Sequence, residues 1–175
     1  INFIQFMSGI STKAKTYLSI LDNKKIKLLD TRKTLPGLRY EQKYATKIGG
    51  IKNHRFDLSD GMMLKDNHLK VSGGIKSVKY IHKKSSKYFF EIEVKSISEI
   101  LPALELNPDI LMFDNFSFNN IKKGIKVVNG RAKIEISGLK SEKELKKLSS
   151  LKIDYVSMGD LTKNIKSIDF SLNII

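Results

Sequence analysis

Three short cationic segments stand close together in the first half of the chain: Asp30-Thr31-Arg32-Lys33-Thr34, Asn53-His54-Arg55 and Lys65-Asp66-Asn67-His68. An arginine grips a carboxylate or phosphate through two parallel hydrogen bonds, and a lysine adds a mobile point charge. Pro36-Gly37 is a turn signal after the first segment, and Gly49-Gly50 allows a sharp bend ahead of the second. Taken singly, each segment also reads as a solvated basic loop; brought to one place, they suit a substrate with several anionic groups. Two carboxylates, Glu93 and Asp114, follow at successive strand ends, and such pairs near phosphate-rich ligands hold Mg²⁺ through oxygen. Their plainer readings are an ion pair of Glu93 with Lys95 and a capping role for Asp114 at the helix after Ser117. Ser137-Gly138 and Gly159 supply small residues whose backbone amides can bind a phosphate monoester, although parallel-strand proteins use glycine at such turns anyway.

The elements that must position these groups are legible as a period. A helix is expected from Asn2 to about Leu21, followed by apolar runs at Ile26–Asp30, Met62–Lys65, Tyr88–Val94, Ile110–Asp114, Ala132–Ile136 and Tyr155–Met158. Between the later runs lie amphipathic stretches at 98–106, 117–128 and 141–151, with Ser98, Ser117 and Ser141 where an N-cap is wanted. Strand then helix, repeated, means parallel strands with crossovers. Each run ends on a polar residue or glycine, the pattern of a barrel with its site at the C-terminal rim. The expected fold is therefore an α/β protein: an open or incomplete barrel of about six parallel strands, two fewer than the full eight. Residues 22–166 form that domain, 1–21 a helical segment leading into it, and 167–175 a terminal strand with no evident partner.

Composition limits the alternatives. With 175 residues, 41% of them apolar, the chain can bury one sizeable core, and no run is apolar enough to cross a bilayer as a helix. It has no cysteine, which removes disulfides and thiolate metal sites and fits a cytoplasmic setting. The net charge of +14 raises nucleic-acid binding, but only four of the 32 basic residues are arginine and the lysines do not interleave with aromatics. The first residues, Phe3, Ile4, Phe6, Met7 and Ile10, already read as the middle of an amphipathic helix, so further chain is expected upstream.

In order and spacing, Ser8-Gly9-Ile10-Ser11-Thr12, Thr31-Arg32-Lys33-Thr34-Leu35-Pro36-Gly37, Asn53-His54-Arg55 and Lys65-Asp66-Asn67-His68 resemble quinolinate phosphoribosyltransferase. Glu91 to Val94, Met112-Phe113-Asp114-Asn115-Phe116, Ser137-Gly138 and Ser157-Met158-Gly159-Asp160-Leu161-Thr162 continue the resemblance over essentially the whole chain. It implies that Arg32, Lys33, His54, Arg55 and Lys65 surround the carboxylates of quinolinate. It implies that Glu93 and Asp114 face the ribose and Mg²⁺–pyrophosphate of phosphoribosyl pyrophosphate, and that Ser137, Gly138, Gly159 and Lys163 hold its phosphate. Lys33, Lys65, Glu93 and Asp114 are then the catalytic candidates, in a homodimer or larger homo-oligomer of NAD biosynthesis. The family also has an N-terminal domain, from which an arginine completes a neighbouring subunit's site, and neither is present in these residues. Within the motifs, Leu139 stands for the second glycine of Ser-Gly-Gly, Asp160 for a small residue and Lys163 for a histidine. These departures keep open an inactive or reduced paralogue that retains anion binding, and the charge keeps open a basic nucleic-acid-binding domain.

Overall fold

The computed structural model describes residues 1–78 and 88–174. Six strands form one sheet: β1 (Lys27–Leu29), β2 (Gly61–Leu64), β3 (Phe89–Val94), β4 (Ile110–Asp114), β5 (Lys133–Ser137) and β6 (Tyr155–Ser157). Their order is β1-β6-β5-β4-β3-β2, with every neighbouring pair parallel. This is the open barrel of six parallel strands that the sequence pattern predicts, and the strand order places its opening between β1 and β2. Among the described residues seven α-helices accompany it: α1 (Asn2–Leu21), α2 (Arg39–Ile48), α3 (Asp66–Val71), α4 (Ile97–Leu104), α5 (Phe118–Val128), α6 (Glu142–Leu148) and α7 (Asp160–Lys163).

Side chains alternate across each strand, so alternate residues face the helices and the lumen. The helix-facing set is apolar: Ile92, Val94, Leu111, Phe113, Ile134, Ile136 and Val156 are at most 4% exposed and form one core with Ile100, Ile121, Leu145 and Leu148 of α4, α5 and α6. Gly124 lets α5 approach β4, since a Cβ there would lie 2.7 Å from the Phe113 ring. The other parity, Met63, Glu91, Glu93, Met112, Glu135 and Ser157, is buried yet mostly polar. A lumen of this kind can hold polar groups only where partners meet them.

The helix caps follow side-chain chemistry. Ser117 and Ser141 accept from the backbone N–H groups of Asn120 and Glu144, both at 3.3 Å. The start of α4 differs from expectation: Ser96, not Ser98, is the N-cap residue. Glu99 accepts the Lys95 N–H at 2.7 Å, which draws the first helical turn forward to Ile97. The terminal segment is a second difference. Expected as a strand at 167–175, it carries no strand among its described residues, which end at 174. The Ile168 N–H donates to the Gln5 carbonyl at 3.1 Å and the Gln5 amide to the Phe170 carbonyl at 2.9 Å, so the segment lies along α1, whose backbone offers no ladder.

One polar cluster ties the site-bearing loops to the fold. Asp30, fully buried at the end of β1, forms an ion pair with Lys43 of α2, itself 2% exposed. The same carboxylate accepts from Thr46 Oγ1 at 2.9 Å, Asn53 Nδ2 at 2.6 Å and the His54 N–H at 2.9 Å. Lys43 Nζ also donates to the His54 carbonyl at 3.0 Å. In the gap beside β1, Lys52 bridges to Leu29, its N–H bonding the Leu28 carbonyl at 3.0 Å. Replacing Asp30 by Ala strands a buried ammonium, and the expected loss is about 3–5 kcal/mol. Urea denaturation of Asp30→Ala measures it, and the double variant Asp30→Ala/Lys43→Met is expected to recover part of the loss.

Candidate active site

The strand C-termini open onto a cleft of about 490 Å³. Arg32 and Lys33 reach it from the loop after β1, His54 and Arg55 from the segment beside β1, and Lys65 from the end of β2. Glu93, Asp114, Ser137 and Ser157 line it from β3, β4, β5 and β6. Eight of the residues singled out in the sequence therefore share one space, although some lie a hundred residues apart in the chain.

The cations there differ in their partners: the arginines meet carbonyl, sulfur or no partner, and Lys65 and Lys95 meet carboxylates. Arg55 donates from Nη1 to the Gly61 carbonyl at 2.9 Å and places Nη2 3.4 Å from the Met63 sulfur. Burial lowers its pKa, the nearby Arg32 charge lowers it further, and Glu91 opposes both. Arg32 Nε is buried without a partner. Lys65 Nζ lies 3.4 Å from Glu93 Oε2, while Lys95 pairs with Asp66 at 2.6 Å. The plain reading of Glu93 as a partner of Lys95 thus gives way to a pair with Lys65 inside the cleft. Asp114 accepts from the Asn115 amide at 2.8 Å, and Ser117 caps α5 with its own hydroxyl, so Asp114 is free of capping duty. Two carboxylates on neighbouring strands at a cleft mouth are a hard-oxygen donor set that fits a hydrated Mg²⁺.

His54 is engaged on both ring nitrogens. The Arg55 N–H donates to Nδ1 at 2.7 Å, which leaves the ring proton on Nε2. Nε2 lies 3.2 Å from Glu91 Oε2 and 3.5 Å from Glu135 Oε2, both fully buried, and Phe89 stands edge-on at 5.8 Å. Sequence reasoning missed these two glutamates as site residues because each sits inside an apolar run. The signal was present: Glu91 and Glu135 lie two residues before Glu93 and Ser137, hence on the same lumen-facing side.

The remaining expected residues stand at the edge of this cleft. Gly138 has φ +82°, a conformation favouring glycine, and a Cβ there would strike the Asn115 amide. It lines an adjoining pocket of about 290 Å³ with Ser137, Asn115 and Lys140. Gly159 lies against Lys33, whose Cδ is 3.2 Å from an added Cβ, and near the exposed Lys163 at the end of α7. Neither Gly138, Gly159 nor Lys163 lines the main cleft itself. Of the departures from the family motifs, Leu139 packs half-buried against the core. The Asp160 carboxylate turns away to Lys13 at 2.6 Å and the Tyr17 hydroxyl at 2.7 Å. Burial raises its pKa, but the hydrogen bonds from Lys13, Tyr17 and Asn164 outweigh that and hold it low. Its charge is therefore spent on α1.

Burial disfavours charge on His54, but hydrogen bonds and charges from Glu135 and Glu91 outweigh it and raise the pKa to about 9; burial chiefly raises Glu91 to about 7. Because Nδ1 is occupied, the excess proton belongs to the Nε2–carboxylate cluster as a unit. Both folded pKa values lie above their unfolded ones, so this stabilisation is complete below the unfolded values and is lost as pH rises through about 7 and about 9. The melting temperature is expected to fall across that window, and His54→Gln to flatten the fall in a pH series of thermal melts.

Comparison with known proteins identifies the family. The family model described as "Quinolinate phosphoribosyl transferase, C-terminal domain" matches residues 10–173. A Bacillus subtilis (strain 168) protein named probable nicotinate-nucleotide pyrophosphorylase (carboxylating) is 35% identical over 176 residues, covering 99% of this chain and 61% of that protein. The chloroplastic nicotinate-nucleotide pyrophosphorylase of Oryza sativa subsp. japonica is 35% identical, with 99% and 52% covered. The solved structure of NadC from Streptococcus pyogenes is 40% identical, with a TM-score of 0.89 over 98% of this chain and 61% of that one. The chain thus spans somewhat over half the length of these relatives. It belongs to the quinolinate phosphoribosyl transferase family and corresponds to the C-terminal domain.

Proposed function

We propose that this domain carries the catalytic cleft of a phosphoribosyltransferase that uses quinolinate and phosphoribosyl pyrophosphate to form nicotinic acid mononucleotide. The observation that supports it most directly is the single cleft in which Arg32, Lys33, Arg55 and Lys65 meet Glu93 and Asp114. A planar dicarboxylate answers two guanidinium groups and two ammonium groups, and a monocarboxylate needs fewer. The names its relatives carry, nicotinate-nucleotide pyrophosphorylase (carboxylating) and quinolinate phosphoribosyltransferase (decarboxylating), describe the same reaction.

In this reading the pyridine nitrogen forms a bond to the ribosyl C1 as the bond from C1 to the pyrophosphate oxygen breaks, through an oxocarbenium-like transition state. The ring 2-carboxylate then leaves as CO₂, its bonding electrons stay on the ring carbon, and a proton replaces it. Arg32 and Arg55 orient the dicarboxylate, and Lys33 and Lys65 add charge beside it. Glu93 and Asp114 would hold Mg²⁺, through water or directly; when bound, the ion neutralises the departing pyrophosphate. Both carboxylates also face the ribose, where positive charge develops in the transition state. The amides of Ser137 and Gly138, with Gly159 and Lys163 beside Lys33, receive the 5-phosphate. His54, with both nitrogens engaged, contributes from the cleft wall.

The wider reading places the protein in a cytoplasmic homodimer or larger homo-oligomer. The assembly is supported by an apolar groove of about 370 Å³ between α1 and α2, where Phe3, Ile4, Tyr44 and Ile48 are exposed. Among the described residues no helix is long and apolar enough to cross a membrane.

The test is quinolinate-dependent pyrophosphate release by the full-length gene product with Mg²⁺. Arg55→Lys, which loses the two-pronged grip, is expected to raise KM for quinolinate about tenfold, and Asp114→Asn to lower kcat about a hundredfold. Absence of release from folded protein with all three components would overturn the reading.

A further inference from the structure

Glu91 and Glu135 take no place in the reaction outlined above, yet both are fully buried in the lumen. Neither carboxylate has a well-formed hydrogen bond, and a buried, unpaired charge of this kind is costly. Among the described residues, His54 Nε2 is the one side-chain nitrogen within ion-pair distance of either, at 3.2 and 3.5 Å. A metal ion held by the three is disfavoured: Nδ1 accepts the Arg55 N–H, so Nε2 carries a proton where a metal would have to bind. The contacts instead form a chain, from the two carboxylates to Nε2, through the ring to Nδ1, and from Nδ1 to the backbone of Arg55.

We infer that Glu91 and Glu135 are positioning residues: a buried carboxylate pair that clamps the His54 imidazole from the lumen and thereby sets the backbone from which Arg55 presents its guanidinium to the substrate's carboxylates. The inference rests on the reading of the cleft as a quinolinate site. The ring is held at its other end too, since the His54 N–H bonds Asp30 and its carbonyl accepts from Lys43. With the backbone pinned there, the ring torsions are the remaining freedom, and the carboxylate pair removes them. A binding constellation keeps its geometry only where supporting contacts lock the side chains behind it. The clamp also explains why two acids stand in a lumen whose helix-facing parity is uniformly apolar.

The experiment uses the full-length gene product with Glu135→Gln and, separately, Glu91→Gln, each nearly isosteric and able to keep one contact. Steady-state rates are taken with each substrate varied in turn, and ¹⁵N-labelled imidazole spectra are recorded, with His54→Gln assigning the signal among the three histidines. The expected result for Glu135→Gln is a KM for quinolinate raised about tenfold, kcat and KM for phosphoribosyl pyrophosphate within about twofold, and loss of the single Nε2–H tautomer signal. A folded variant with an unchanged quinolinate KM and an unchanged imidazole spectrum overturns the clamp. So does a variant that loses thermal stability alone. If the unsubstituted protein turns over no quinolinate, the functional reading fails by itself. The imidazole spectrum then still decides the clamp, which is overturned if the Nε2–H signal persists in the variants. Glu91→Gln supplies the same comparison if Glu135→Gln does not fold.

Discussion

The buried pair of Asp30 and Lys43 is the contact on which the site most depends. A barrel open between β1 and β2 lacks the ladder that would otherwise carry the chain beyond β1 in register with the other strand ends. The Asp30 carboxylate supplies the missing connection by gathering α2, Asn53 and the His54 backbone onto the tip of β1. Burial lowers the Lys43 pKa, and the Asp30 charge and hydrogen bond work against that shift. Each charge therefore needs the other, and the pair fixes geometry more than it adds stability. Arg32, two residues beyond Asp30, and Arg55, one beyond His54, inherit their positions from it.

The strand parity organises the rest. One face of each strand is close-packed against helices and makes the core, so register is strongly specified; a one-residue slip would bury glutamates among Ile, Leu and Phe. The opposite parity then lays polar groups in layers: Glu91 and Glu135 below, Glu93, Asp114, Ser137 and Ser157 toward the rim. The fold thus presents its chemistry at the strand ends and keeps its support one layer beneath.

Electrostatically the cleft is a balance of unlike groups held apart by strand order. Cations enter from the β1 and β2 side, and carboxylates sit on β3 and β4. Across the boundary between β2 and β3, Lys65 approaches Glu93 at 3.4 Å and Lys95 pairs with Asp66 at 2.6 Å. Arg32 Nε, at the same cleft, is buried with its hydrogen-bonding capacity unused. The positions that depart from the family motifs do not disturb this: Leu139 joins the core, and Asp160 is neutralised on α1.

The sequence alone determined the strand-and-helix alternation, the six strands and most of the cleft, because parallel strands announce themselves as apolar runs and catalytic rims as polar residues at their ends. It did not disclose α2 in detail, whose buried face is Gln42, Lys43, Ala45 and Thr46 and therefore carries no apolar period. Nor did it disclose Asp30 as a hub or Glu91 and Glu135 as partners of His54, since a glutamate inside a run looks the same whether it faces solvent or lumen. At the end of the chain, alternating residues at 168–174 satisfy a strand pattern, yet a strand forms only where another backbone offers its edge, and these residues lie along α1 instead. Tertiary structure decided these points because they depend on which residues, distant in sequence, arrive within hydrogen-bonding distance, and local spacing carries no record of that.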